Sequence, residues 1–199
     1  IHRLSHRKIV VKGMENIPKG EPVLIAPNHQ NALSDSLAIL VNTRMQPVFL
    51  GRADMFNNKL AAAFLNFFKI SPVYRIRDGK ETLDKNHDVF DNCVQILKRK
   101  KMICIYPEAS HVGLKRMNPH KKAIPRIAFL TAEATNFELN VKILPVGLYY
   151  SHYYHFRRDL MVVFGKPLNS KDYYHLYKES GEAKATLTLR NDLFEEDRK

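Results

Sequence analysis

The sequence predicts a single α/β domain, a mixed and mostly parallel sheet of about seven strands flanked by helices. Three observations carry that reading. The chain has 199 residues, enough for one domain with a real core and short for two. Its hydrophobic fraction of 45% and charged fraction of 26% are those of a folded body. Apolar runs of strand length alternate with longer amphipathic stretches, and no repeat, low-complexity tract or Ser/Gly linker interrupts them.

The elements follow in order. "KIVVKG" (8–13) and "PVLIAPN" (22–28) read as strands, the second closed by Pro27 and Asn28. A helix over 34–43 leads to the strand "PVFLGR" (47–52), and a second helix over 58–68 leads to "SPVYRIR" (71–77). Over 83–99, Leu83, Phe90, Val94 and Leu97 recur at a helical period, with charges on the remaining face. "MICIYPE" (102–108) is the next strand, followed by a helix over 123–135. "VKILPVGLYY" (141–150) and "LMVVFGKP" (160–167) complete the strands, and 171–178 and 182–197 read as two final helices.

Composition excludes several classes. No run of about 18 apolar residues exists, so nothing is expected to span a bilayer, and no secretory signal is expected ahead of the domain. The first residue is Ile1 rather than methionine, and the expectation is one domain over 1–199 that lacks a short N-terminal segment. Cys93 and Cys104 have no CxxC spacing, which fits two buried thiols in a reducing compartment and neither a disulfide scaffold nor a zinc site. His152 and His155 in "SHYYHF" are the nearest approach to a metal-ligand pair, and a polar surface loop accounts for them better; no metal site is expected. The net charge of +12 is a statement about partners: nucleic acid, anionic headgroups, or phosphorylated and CoA-bearing substrates. No RNP, KH, helix-turn-helix or zinc-finger pattern appears, so nucleic acid is not the expected partner. The basic clusters "RIRDGK", "KRKK", "LKRMNPHKK" and "HFRR" are each also explained as a solvated face.

An α/β alternation puts ligands at the carboxyl ends of strands. Three polar clusters stand there: "PNHQN", "YRIRDG" and "YPEASHV". Histidine titrates near neutrality and is the natural general base at cellular pH. His29 and Asp35 are too far apart to meet on a regular helix. If residues 28–33 form a turn and a helix starts near Ser34, the carboxylate folds back to hold the imidazole Nδ1–H and leaves proton transfer to Nε2. Ser34 and Asp35 are equally good helix N-caps, so spacing alone leaves a cap and a catalytic dyad open. No G-x-S-x-G elbow supplies a nucleophile, and a His–Asp pair without one points to a substrate that brings its own, most simply a hydroxyl.

Taken together, the motifs resemble the glycerolphosphate and lysophosphatidic acid acyltransferases of phospholipid synthesis. "NHQNALSD" resembles the N-H-x4-D motif, with five residues between His29 and Asp35 where the motif has four; "SPVYR", "YPEAS" and "ILPVGL" resemble the three that follow it, in order, across residues 28 to 148. The resemblance implies a glycerolphosphate acyltransferase-like fold and acyl transfer from an acyl-CoA or acyl carrier protein thioester to a hydroxyl of lysophosphatidate or a related lipid. No other cofactor is implied. His29 deprotonates the acceptor hydroxyl and Asp35 orients it; Arg75 grips the acceptor phosphate as a bidentate fork. Glu108 holds the glycerol hydroxyl, Asn28 and Ser110 lie in the same motifs, and Pro145 shapes the floor.

The third motif departs from the family: Ala109 stands for glycine, Ser110 for threonine and His111 for arginine. Ala109 restricts a turn that glycine leaves free. Lys121 and Lys122 are expected to supply charge lost at His111. An O-acyltransferase for an N-acyl amino-acid lipid is a neighbouring possibility with the same chemistry, and a lipid or thioester hydrolase would use the same dyad with water. A lipid substrate implies peripheral attachment to an anionic membrane surface on its cytoplasmic face. In "NKLAAAFLNFFKI" (58–70) a helix aligns Leu60, Phe64, Phe67 and Phe68 between Lys59 and Lys69, the pattern of an interfacial helix and equally of one packed into the core. The clusters at 98–101 and 115–122 are expected to add electrostatic attraction.

Overall fold

The computed structural model describes residues 6–31, 33–43, 45–52, 56–58, 63, 65, 70–73, 83–109, 117–153 and 157–198. Strands β1 (His6–Lys12), β2 (Val23–Pro27), β3 (Val48–Arg52), β4 (Ile70–Val73), β5 (Met102–Cys104), β6 (Lys142–Tyr150), β7 (Arg158–Phe164) and β8 (Leu168–Asn169) form one sheet. Its order is β1-β7-β6-β2-β5-β3-β4, with β8 against the start of β6. All pairings are parallel except β6 with β7 and β6 with β8. The helices are α1 (Leu33–Asn42), α2 (Leu83–Lys98), α3 (Ala123–Glu133), α4 (Tyr174–Ser180) and α5 (Glu182–Asp197).

β2 is central, and every residue of it is buried, as a strand covered on both faces requires. The two-residue alternation splits its side chains between two cores. Leu24 and Ala26 pack with Ile103, Ile143 and the apolar faces of α2, α3, α4 and α5. Val23 and Ile25 pack with Phe49, Leu144, Val146, Leu148 and with Ala38 and Ile39 of α1. Among the described residues the fold is therefore three-layered, α1 on one face and α2 to α5 opposite.

Several boundaries differ from the sequence reading. β5 stops at Cys104; Ile105 still donates to the Ile25 carbonyl at 2.9 Å, but Pro107 has no N–H with which to continue. β4 ends at Val73, and residues 74–80, with Arg75, lie outside the described residues. The helix expected from 171 starts at Tyr174. A 3-10 turn, Ser170–Tyr173, precedes it, pinned where Ser170 Oγ accepts the Val141 N–H at 2.9 Å. β8, too short to show a pattern, was not anticipated. Of 58–68, Ala63 and Leu65 are described as helical and Leu65 is buried; Leu60, Phe64, Phe67 and Phe68 lie outside the described residues.

Candidate active site

The chain leaves β2 for α1 on one face of the sheet and leaves its neighbour β5 for α3 on the other. Adjacent strands whose connections part in this way open a crevice at their carboxyl ends. Four of the expected residues, Asn28, His29, Asp35 and Glu108, meet there.

Asn28 continues β2 with its side chain. Its N–H donates to the Val146 carbonyl at 3.2 Å, its Oδ1 accepts the Leu148 N–H at 2.7 Å, and its Nδ2 donates to the Leu148 carbonyl at 3.1 Å. The amide thus imitates one more residue of ladder on β6 and fixes where the turn begins. Pro145, buried on β6 beside Ala26, lies just below on the same strand.

Asp35 sits in the first turn of α1 and is wholly buried. Its Oδ2 accepts His29 Nδ1–H at 3.0 Å and the backbone N–H groups of Gln30 and Asn31 at 3.0 and 2.8 Å. The aspartate therefore closes the turn that precedes the helix and holds the imidazole with the same oxygen. Turn closure and the His29–Asp35 contact, weighed apart in sequence, are here made by one carboxylate, although Leu33 already begins the helix and Asp35 is inside it.

The ring of Tyr106 stacks on the His29 imidazole, centroids 3.9 Å apart and planes 24° from parallel, and its hydroxyl shares a 2.7 Å hydrogen bond with Ser36. Sequence reasoning missed Tyr106, which stands two residues before Glu108 in a motif that drew attention only to the glutamate. Glu108 is 1% exposed. Its Oε1 accepts the His29 N–H and its Oε2 the Asn118 N–H, both at 2.9 Å. One carboxylate thus ties the β2 loop to the segment before α3. Lys121 N–H donates to the Pro107 carbonyl at 2.7 Å, which sets exposed Lys121 and Lys122 at the same end of the sheet. Ala109 adopts a left-handed φ of 57°, the conformation for which glycine is the unstrained choice. Ser110 and His111 lie outside the described residues.

Behind Glu108 is a second pair that the sequence did not announce. His120 Nε2 and Asp197 Oδ2 are 3.2 Å apart, with side chains 1% and 2% exposed, off the line a strong hydrogen bond prefers. Burial lowers His120 to about 4, and burial, with Glu108 and Glu196 adding to it, raises Asp197 to about 8. His120 is thus no part of the basic surface that "LKRMNPHKK" suggested. Cys93 and Cys104 are both buried free thiols; burial pushes Cys93 up to about 12 and Cys104 well above its ordinary value, so neither offers a thiolate.

An imidazole oriented by a buried carboxylate at the strand ends of a mostly parallel sheet is placed where it could accept a proton from a bound hydroxyl. The chain belongs to the family described as Acyltransferase, which it matches over residues 8–149. Its fold is similar to the crystal structure of the 1-acyl-sn-glycerophosphate (LPA) acyltransferase PlsC from Thermotoga maritima, with a TM-score of 0.60 over 94% of this chain and 71% of that one, at 16% identity. No curated protein matches the sequence.

Proposed function

We propose that this acyltransferase moves a fatty acyl group from an acyl-CoA or acyl carrier protein thioester to a hydroxyl of lysophosphatidate or a closely related lipid acceptor. The observation that carries the mechanism is the 3.0 Å contact of His29 Nδ1 with fully buried Asp35, whose Oδ2 is fixed by two further N–H groups. With Nδ1–H donated to the carboxylate, proton acceptance falls to Nε2. The acceptor hydroxyl gives its proton to Nε2 as its oxygen bonds to the thioester carbonyl carbon. The tetrahedral intermediate then collapses, the C–S bond breaks, and the thiolate leaves with the proton returned by the imidazolium. Asp35 stabilises that imidazolium between the two steps. No covalent acyl-enzyme is required.

Arg75 is proposed to bind the acceptor phosphate, with Lys122 and Ser110 supplementing it and Pro145 flooring the crevice. For Glu108 the geometry favours a clamp: both oxygens already accept backbone N–H groups, so direct hold on an acceptor hydroxyl would use a remaining lone pair. An N-acyl amino-acid lipid would serve as acceptor by the same chemistry. Among the described residues no helix is long and apolar enough to cross a membrane. We propose attachment to an anionic lipid surface from the cytoplasmic face.

Thiol release from a panel of acyl donors, crossed with glycerol-3-phosphate, lysophosphatidate and lyso-amino-acid lipids, tests this reading. Release that requires an acceptor marks a transferase; equal release without one marks a hydrolase and overturns it. Arg75→Ala should raise the acceptor KM, at a cost of about 1.5–3 kcal/mol, and leave the donor KM little changed. A rise confined to the donor KM would place Arg75 in the donor site.

A further inference from the structure

Arg158, the first residue of β7, was part of "HFRR" and reads in sequence as one more solvated charge. In the fold it is partly buried, and its N–H groups are turned inward. Nη2 donates to Ser34 Oγ at 3.0 Å and Nη1 donates to the Tyr153 carbonyl. With the Asn31 amide oriented so that its oxygen faces the guanidinium, Oδ1 accepts from Nη1 at 2.8 Å and Nη2 at 3.1 Å. Nε reaches His6 Nε2 at 3.5 Å, and the guanidinium carbon lies 4.9 Å above the Tyr150 ring centroid. None of these partners is a carboxylate, and among the described residues no carboxylate pairs with Arg158.

The places it touches are the argument. Asn31 and Ser34 stand at either end of the short segment that leads into Asp35, and they are joined to each other by the Ser34 N–H to Asn31 carbonyl bond at 3.0 Å. Asn31 is also one of the two residues whose backbone N–H fixes Asp35 Oδ2. The other, Gln30, is held through its side chain by Tyr153 Oη at 2.5 Å, and the carbonyl of that same Tyr153 accepts from Arg158. Arg158 thus reaches both residues whose backbone N–H groups fix the aspartate, Asn31 directly and Gln30 through Tyr153. Beneath it, Tyr150 is 4% exposed, and its hydroxyl and Asp35 Oδ1 are both buried without a fully formed hydrogen bond. They lie close enough that burial, then the Asp35 charge, holds the phenol well above its ordinary pKa while Arg158 opposes the rise.

We propose that Arg158 is a positioning residue of the His29–Asp35 pair, a planar fork that holds Asn31 and Ser34 in place from β7. The inference rests on the reading of His29 as the general base. A lysine would keep the charge but could not reproduce several divergent N–H bonds from one plane.

The test uses thiol release from an acyl-CoA with lysophosphatidate as acceptor, alongside thermal melts and a His29→Ala control. Arg158→Lys should remain folded, keep both KM values near wild type and lose kcat by about 10- to 100-fold, the scale of a misplaced catalytic group. Arg158→Ala should lose as much, and guanidinium ion at tens of millimolar should restore part of kcat where sodium chloride at equal ionic strength does not. A folded Arg158→Lys with wild-type kcat, or a change confined to acceptor KM, overturns the proposal, as does an Arg158→Ala for which guanidinium and sodium chloride act alike. If Arg158→Ala does not fold, Arg158→Lys decides. Inactive His29→Ala beside unaffected Arg158 variants defeats this inference alone, whereas an active His29→Ala defeats the general-base assignment on which it stands.

Discussion

His29 is held from three sides: its ring nitrogen by Asp35, its ring face by Tyr106 and its backbone N–H by Glu108. Such restraint is what positioned proton transfer needs, and it separates chemistry from stability in mutants. His29→Ala should lower kcat by about 10²- to 10⁴-fold with a thermal midpoint near wild type. Asp35→Asn should be nearly as damaging, because an amide frees the tautomer and orientation of the ring. Near-normal turnover in a folded His29→Ala protein would remove the histidine from the mechanism. Ala109 supplies a second prediction, concerned with folding. An L-residue at a φ of 57° carries a strain of about 1–2 kcal/mol, which glycine relieves at some cost in unfolded-chain entropy. Ala109→Gly should therefore raise stability by up to about 1 kcal/mol, read as a shift of the urea midpoint; a loss of stability would show that the methyl group makes contacts worth more than the strain. The family resemblance pointed to this departure, but only the backbone showed that the turn is kept and strained.

Between elements, the C-terminal helix α5 reaches the site through Asp197 and His120. The Asp197 carboxyl, raised to about 8, and the His120 imidazole, lowered to about 4, hold one proton between them across that interval. In the unfolded chain, ordinary values of about 3.9 and 6.5 leave one proton on the two groups up to about pH 6.5 and none above it. The folded protein thus binds the extra proton between about pH 6.5 and 8, and stability falls as pH rises through that window, by about 2 kcal/mol at most. Asp197→Asn should abolish that fall. With His120 alone still depressed, the variant should instead lose stability as pH drops from about 6.5 toward 4. Thermal melts of both proteins across this range check the sign; parallel curves would show that the pair does not titrate as a unit. Neither residue was legible as a partner of the other, because a histidine inside a lysine-rich run and an aspartate near the end of an acidic helix each look like ordinary surface.

For the whole molecule, strand direction decides which charges can accompany the site to a membrane. The exposed run 98–101 leads from the last residue of α2 to the start of β5, where the Lys101 carbonyl accepts the N–H of Val23 at the beginning of β2. That is the amino end of the parallel strands, opposite His29. Lys121 and Lys122 stand at the carboxyl end, beside Pro107 and Glu108. If the crevice meets the lipid, changing Lys121 and Lys122 to serine should weaken sedimentation with anionic vesicles and flatten its salt dependence, each lysine near the surface contributing roughly 1 kcal/mol. The same change across Lys98, Arg99, Lys100 and Lys101 should matter far less. The reverse ranking would place the amino end of the strands, not the crevice, against the lipid. Phe67→Ser combined with Phe68→Ser remains the test of the 58–70 segment: sedimentation that is unchanged while the fold is intact would assign those rings to the core.

Local pattern determined a great deal about this protein by itself. Apolar runs of strand length and period-3.6 stripes specified the main strands and helices, because burial in a sheet or on a helix face is a short-range demand on sequence. The same runs delivered His29, Asn28 and Glu108 to strand ends, and their motifs indicated acyl transfer. Tertiary structure alone decided how these residues are used. Glu108 meets His29 across 79 positions and Arg158 meets Ser34 across 124, and both contacts depend on strand order and register, to which no local spacing is sensitive. Whether a charge is solvated or buried is likewise settled only when a distant segment packs over it. For that reason "HFRR" contained a residue that braces the dyad, "LKRMNPHKK" contained a buried histidine, and "KRKK" faces away from the site.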